Sequence, residues 1–233
     1  MGLTYVIEHM EEDEATPHSL PPWVELEYSH MITLAGQDAQ VQFTHLSQNA
    51  CNSLQNKLAA NQHNSASFQV HTQSILALLQ QRKVSLSSVC LLDPKAELPL
   101  QPKDGDEFDW FLFGVQGDPR LSFPRFKYTI LTQKLGDDPP RDRTSELRQF
   151  GFTSRHLGPV QMTTDTALGV TKRVVHDRTP LEGIPYVDFP TITFNAKESV
   201  EMPFRYIADN DKPLLPSGMR ELLHKDLNKS FDF

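Results

Sequence analysis

The sequence predicts an α/β fold, a mostly parallel sheet with helices on both faces. Short β-branched and aromatic runs alternate along the chain with segments of helical period, the order that βαβ units produce. The run Phe108-Asp109-Trp110-Phe111-Leu112-Phe113-Gly114 is apolar and aromatic and ends in glycine, as a buried strand does where it opens into a loop. With 233 residues and 38% hydrophobic content, the chain can build one sizeable domain over residues 1–233, with 183–233 as a C-terminal extension packed on it. Alternation gives the fold class and leaves the strand order open.

Taken in order, Thr4-Tyr5-Val6-Ile7 is β-branched and aromatic and reads as the first strand, followed at its end by Glu8-His9-Met10-Glu11-Glu12. Pro21-Pro22 opens a helix through Trp23, Val24, Leu26, Tyr28, Met31 and Ile32 that stops at Gly36. A strand is expected over Val41 to Leu46 and a helix around Cys51 to Ala60, before an Asn/Gln/Ser-rich link over 61–67. Ile75 to Gln81 is helical, and Val89 to Leu92 is a buried strand ending at Asp93-Pro94. Beyond the 108–114 strand, a short charged helix is read at Arg141 to Arg148. A further helix runs from about Thr164 to His176, with Ala167, Leu168, Val170, Val174 and Val175 as its apolar face and Lys172 and Arg173 near its C-terminal end. Residues 186–190 and 192–195 are extended, and Ser217 to Leu227 is a last helix with Ser217 as its cap.

Composition narrows the function classes. A net charge of −8 and a pI near 5.6 oppose tight binding to a nucleic-acid backbone and suit a basic protein target. Net charge says nothing of a local basic face, which keeps an RNA-directed activity as the alternative. No apolar run has membrane-spanning length and no secretory core follows the N-terminus, so the cytosol is expected. Cys51 and Cys90 have no pairing pattern and read as reduced thiols. The nine histidines show no metal-ligand spacing such as HExxH, and there is no phosphate-binding loop.

The chemistry concentrates in Leu157-Gly158-Pro159-Val160-Gln161-Met162-Thr163-Thr164-Asp165. Glycine opens φ values closed to other residues and Pro159 fixes φ, so this loop can approach a ligand closely through its backbone. Thr163 or Thr164 caps the helix that follows, and Asp165 sits in its first turn, where negative charge complements the dipole. Gly114, Gly136 and Gly158 also read simply as turns.

In the order FLFG, LGDDPPRDRTSELR, LGPVQMTTDTALGVTKRVV and EMPFRY, after an N-terminal YVIEHMEE, the chain resembles SPOUT-fold methyltransferases. More narrowly it resembles the fungal SPOUT protein-arginine methyltransferases that modify a small-subunit ribosomal protein. The resemblance implies a C-terminal trefoil knot, with S-adenosylmethionine bent in the knot loops. It assigns Leu112, Phe113 and Gly114 to the first cofactor loop and Leu135, Gly136 and Asp137 to its continuation. Leu157, Gly158, Pro159, Gln161, Met162, Thr163 and Thr164 would surround the adenine and methionine parts, and Arg141 to Arg148 would be the knotted helix. It further implies a monomer that adds one methyl group to an arginine nitrogen. A SPOUT RNA methyltransferase and an inactive binding module are the alternatives.

An arginine substrate stays protonated and offers forked donors, for which carboxylates are the natural partners. Glu8, Glu11 and Glu12 are therefore the catalytic candidates, able to hold the guanidinium and disperse developing charge. Glu11 to Glu14 read equally as a solvated acidic run. In the EMPFRY segment, Glu201 is a candidate carboxylate and Tyr206 a candidate flat wall for the substrate; structurally, the same segment reads as an Arg205–Glu201 pair with Phe204 in the core.

The chain departs from the family at 115–133, VQGDPRLSFPRFKYTILTQ, interposed between FLFG and the LGDDPP motif. The segment has no amphipathic period, and a long structureless loop is unusual inside a compact domain. It begins with Val, whose codons start GT, and ends Leu-Thr-Gln, which can encode a branch-site-like CTNAC followed by CAG. A translated short intron is the expectation. Sequencing the mature transcript should show these codons absent; a message that retains them rejects the idea.

Overall fold

The computed structural model describes residues 2–9, 20–59, 65–114 and 144–229. Its centre is a six-stranded sheet. β1 (Thr4–Glu8) lies between β2 (Gln40–Thr44) and β5 (Trp110–Gly114); β3 (Ser67–Val70) extends the β2 side, and β4 (Val89–Leu92) and then β6 (Thr153–Arg155) extend the β5 side. Every pairing in this sheet is parallel. All six strands therefore end on the same edge.

The period of two in each central strand sorts its side chains onto two cores. Tyr5 and Ile7, Cys90 and Leu92, and Phe111 and Phe113 face one layer with α1 (Pro22–Ala35), α2 (Gln48–Ala59) and α6 (Thr164–Val175). Val6, Val89, Leu91, Trp110 and Leu112 face the other, with α3 (Ile75–Arg82) and Leu147 of α5 (Thr144–Arg148). Both faces being covered is why the central strands read as continuous apolar runs. The helix α1 starts at the Pro21-Pro22 pair, where a missing N–H costs nothing, and stops at Gly36 with φ 80°. Its buried stripe, Val24, Tyr28, Met31, Ile32 and Ala35, has helical spacing. Cys51 and Cys90 are both free and buried, and burial pushes the Cys90 thiol up to about 12.

Several elements differ from the expectation. β2 ends at Thr44, because His45 turns the chain with φ 62°. α2 begins three residues early, at Gln48, with the Ser47 hydroxyl accepting from the Ala50 N–H. β3 alternates Phe68 and Val70 toward the core with polar Ser67 and Gln69, and β6 (TSR) has no apolar residue; both are edge strands with one neighbour each, and edge positions tolerate polar side chains. The last helix, α7 (Met219–Lys229), starts after Gly218 rather than at Ser217.

The C-terminal residues build a small lobe. β7 (Tyr186–Asp188), β10 (Arg205–Asp209) and β11 (Lys212–Pro213) form an antiparallel sheet, beside a hairpin of β8 (Thr191–Asn195) and β9 (Glu198–Glu201). Ile192, Val200, Met202, Phe204, Tyr206, Met219 and Leu223 fill its core, which packs against Trp23 and Leu26 of α1. The passage 115–143 lies outside the described residues. With it go the interposed segment 115–133, the threading of the expected knot, Leu135, Gly136 and Asp137, and the first residues of the Arg141 to Arg148 helix.

One ion pair fastens the β6 edge to the turn before β5. Asp104 begins the short helix α4 (Asp104–Glu107) and is fully buried; it accepts from the Gln101 N–H at 2.7 Å and from Arg155, whose Nε lies 3.2 Å from both carboxylate oxygens. Removing the guanidinium strands a buried charge. Arg155→Met is expected to lower stability by about 3 kcal/mol, read as a fall in the urea midpoint; an unchanged midpoint would show that Asp104 does not depend on this partner.

Candidate active site

Ligands in open α/β sheets sit beyond the carboxyl ends of the strands, and here three strand ends converge. Glu8 is the last residue of β1. In register it lies opposite Thr44 on one side and Gly114 on the other. Its side chain is buried, only 4% of the residue being exposed. Oε2 accepts from the Thr44 hydroxyl at 2.5 Å and from the Ile75 N–H at 2.9 Å, an amide of the first turn of α3 that has no partner within its own helix. Oε1 lies 3.7 Å from Nδ1 of His45. Burial raises the Glu8 carboxyl above its ordinary range, while Thr44, the Ile75 N–H and His45 act in the opposite sense.

The sign of that shift matters for function. A carboxyl raised on folding contributes stability below the ordinary glutamate value, and this contribution is lost as pH rises through the folded value. The charged form is thus the costly one. A cation placed against Oε1 offsets that cost, so this strand end favours a positively charged ligand.

On the other side of Glu8, Gly114 is a glycine because α5 comes down onto the strand end. A Cβ there would stand 3.3 Å from both Leu147 Cδ1 and Thr144 Oγ1. α5 is held in place by Arg148, which forks onto the buried Asp93 at the end of β4 through Nε and through Nη2, the latter at 2.9 Å. Leu112 and Phe113 are buried, packed into the two cores, so they can offer a ligand only their backbone.

The loop from Leu157 to Thr164 follows β6 to the same edge. Gly158 has φ 103°, a region that side chains strain to enter, and nothing stands within 4 Å of where its Cβ would be. Its N–H donates to Nδ1 of His156 at 3.0 Å. The far half of the loop is clamped from the small lobe: the Arg205 N–H donates to Gln161 O at 2.9 Å, and Met162 bridges to Arg205 in parallel fashion. Arg205 is itself fixed by Asp188, with Nε to Oδ1 at 2.6 Å, and by the Tyr186 ring at 4.6 Å. Pro159 and Gln161 are exposed, while Leu157, Met162, Thr163 and Thr164 are half-buried. Thr163 occupies the cap position of α6, but its hydroxyl donates to Thr166 Oγ1 at 2.8 Å instead of capping. Asp165 is buried and bound to His30 of α1 at 2.7 Å, a cross-link between helices rather than a solvated first-turn charge.

Two substrate candidates are not brought to this edge. Tyr206 is 1% exposed within the core of the small lobe, where burial raises its phenol; it has no open face to serve as a wall. Glu201 is exposed on β9, paired across the hairpin with Thr191, and the partner of Arg205 is Asp188 rather than Glu201. Phe204 is buried in that core, as the structural reading had it. Glu11 and Glu12 lie outside the described residues. Thr44 and His45 are neighbours of Glu8 that the sequence reading passed over; a polar pair closing the run QVQF at the carboxyl end of a strand was the available signal. Among the described residues, no group of three or more His, Cys, Asp or Glu could hold a metal ion, and no helix is long and apolar enough to cross a membrane.

The strand ends and the clamped loop beside them stand where open α/β sheets hold their ligands. Comparison with known proteins agrees. The family model described as "Protein arginine N-methyltransferase SFM1-like" matches residues 4–120 and 122–230. The protein arginine N-methyltransferase SFM1 of Saccharomyces cerevisiae is 35% identical over 238 residues, covering 99% of this chain and 98% of the yeast protein. The crystal structure of the yeast enzyme complexed with SAM superposes with a TM-score of 0.74 at 35% identity, over 98% of this chain and 92% of that one. The yeast structure complexed with SAH gives 0.70 at 35% identity, over 94% of each. The sheet described above is accordingly of the SPOUT type.

Substituting Gly158→Ala forces a side chain into a left-handed φ at a cost of about 1–3 kcal/mol. The expected result is a weaker cofactor affinity by calorimetry, about tenfold or more, with the rest of the fold intact; an affinity equal to wild type would remove Gly158 from the binding loop.

Proposed function

Because the chain belongs to the SFM1-like family of protein arginine N-methyltransferases, we propose that the arginine it monomethylates lies on a basic protein of the small ribosomal subunit. The chain is an S-adenosylmethionine-dependent protein arginine N-methyltransferase. The observation that carries the assignment to a site is Glu8, a buried carboxyl at a strand end, in register with the glycine that closes the FLFG run. The net charge of −8 complements a basic protein target.

In this reading Leu112 to Gly114 and Leu157 to Thr164 hold the cofactor through backbone groups, together with Leu135, Gly136 and Asp137. S-adenosylmethionine, when bound, supplies a methyl group on a positively charged sulfur. The charge of the arriving guanidinium offsets the desolvation that raises the Glu8 carboxyl, and so favours its ionised form. It then fixes the orientation of the planar fork, so that one nitrogen faces the cofactor side of β1. Glu11 and Glu12 remain catalytic candidates on the family resemblance. Residues 115–133 stand in the sequence between the FLFG and LGDDPP motifs, and a chain without them should bind the cofactor more tightly. The enzyme acts as a cytoplasmic monomer.

Glu8→Gln keeps an oxygen for the Ile75 N–H and the Thr44 hydroxyl while removing the desolvated charge. Methyl transfer is expected to fall about 100-fold, with cofactor affinity unchanged and the thermal midpoint at pH 8 equal to or above wild type. Transfer at the wild-type rate would reject the role of Glu8. Incubation with labelled S-adenosylmethionine and ribosomal extract should place the label on a small-subunit protein; label on RNA would favour the RNA-directed alternative, and no label would mark an inactive binding module.

A further inference from the structure

Beside Glu8 stands a residue that neither the motif nor the cofactor loops use. His45 follows the last residue of β2 with φ 62°, a left-handed conformation uncommon outside glycine, which histidine enters more readily than most side chains and which the surrounding hydrogen bonds hold. The His45 N–H donates to Gln73 O at 2.9 Å, the Leu46 N–H to His71 O at 3.1 Å, and the His9 N–H to Thr44 O at 3.0 Å, so the turn is fastened to its neighbours on both sides. This backbone holds the imidazole over the one carboxylate oxygen of Glu8 that accepts no hydrogen bond from Thr44 or Ile75, at 3.7 Å, and leaves the side chain 58% exposed.

We propose that His45 is the proton acceptor of the methyl transfer, a role that rests on the reading of Glu8 as the guanidinium holder. The arginine nitrogen forms its bond to the methyl carbon as the carbon–sulfur bond breaks. The sulfur keeps that electron pair and leaves as a neutral thioether. The attacked nitrogen now carries one proton too many for a methylguanidinium of single charge, and that proton passes to Nε2 of His45. Nδ1 faces Glu8, whose carboxylate stabilises the imidazolium so formed, as a carboxylate does beneath any catalytic imidazole. The exposed ring then releases the proton to water, and the site returns to its starting charge.

The ionisable groups on the surrounding elements are Glu8 and His9 at the end of β1, His71 after β3, and Arg82 on α3. His9 is engaged at Nδ1 by the Tyr28 hydroxyl at 2.9 Å, and His71 at Nε2 by Gln42 Oε1 at 2.7 Å. Burial, and then the charge of Arg82, lower the pKa of His71. His71→Asn is therefore the control for any imidazole effect on this edge.

Asparagine and glycine both accept a left-handed φ, so His45→Asn and His45→Gly preserve the turn. The expected result for His45→Asn is a kcat about 100-fold lower, with KM and cofactor affinity little changed. The pH profile of kcat should be the same in the wild type and in His71→Asn and should change in His45→Asn. Added imidazole should restore much of the rate to His45→Gly. A His45→Asn variant with wild-type kcat and pH profile overturns the proposal, as does a His45→Gly variant that imidazole cannot rescue. A wild-type chain that labels no protein overturns the reading of the site itself, and the two failures are thereby distinguishable.

Discussion

Parallel pairing of β1 with both β2 and β5 brings residues 44, 8 and 114 side by side at one end of the sheet, and every contact of the candidate site depends on that adjacency. In a parallel sheet every strand must return to the same starting edge through a crossover, so every strand end delivers its next loop to the opposite edge. β1, the central strand, delivers an acid; β5 delivers a glycine; β2 delivers a histidine. A carboxylate in the middle of β4 or β5 would meet apolar layers on both faces. At this edge it meets a hydroxyl, a helix amide and an imidazole.

A second layer of the design is the set of charge pairs that hold the loops around those strand ends. Arg148 on Asp93 seats α5 over Gly114, and Arg205 on Asp188 clamps the Leu157 to Thr164 loop. His30 on Asp165 ties α6 to α1. None of these groups contacts the strand-end carboxylate directly. Each ties a buried or half-buried charge to one partner, and such pairs fix geometry better than they add stability. A site whose cofactor contacts come from backbone needs that kind of fixing, because backbone can recognise a ligand only where its own path is rigid.

The two faces of Glu8 also explain why a buried acid persists there. As the acceptor for the first turn of α3 it has a structural use, and as a desolvated carboxyl it is costly when charged. Structure alone would be served as well by a glutamine. What glutamine lacks is the charge, the property that the proposed role of Glu8 requires.

The fold class, the central strands and most helices could be read from the sequence, because their signals are local. Pro21-Pro22 and Gly36 bound α1 through their own backbone restrictions, and the apolar runs 89–92 and 108–114 are buried on both faces. The family was legible too, since its motifs are contiguous stretches. The edge strands β3 and β6 were not: the alternation of β3 spans only four residues after an Asn/Gln/Ser-rich stretch, and β6 is three polar residues long. Tyr206 and Glu201 show the same limit within the site: an aromatic next to a conspicuous motif looks like a ligand wall in one dimension and is a core residue in three. Asp188 as the partner of Arg205, and His45 as the neighbour of Glu8, join positions 17 and 37 residues apart through strand pairing alone. The sequence by itself determined which residues could act, through their chemistry and local backbone preference; the tertiary structure decided which of them meet, because register across parallel strands is set by the packing of the whole sheet.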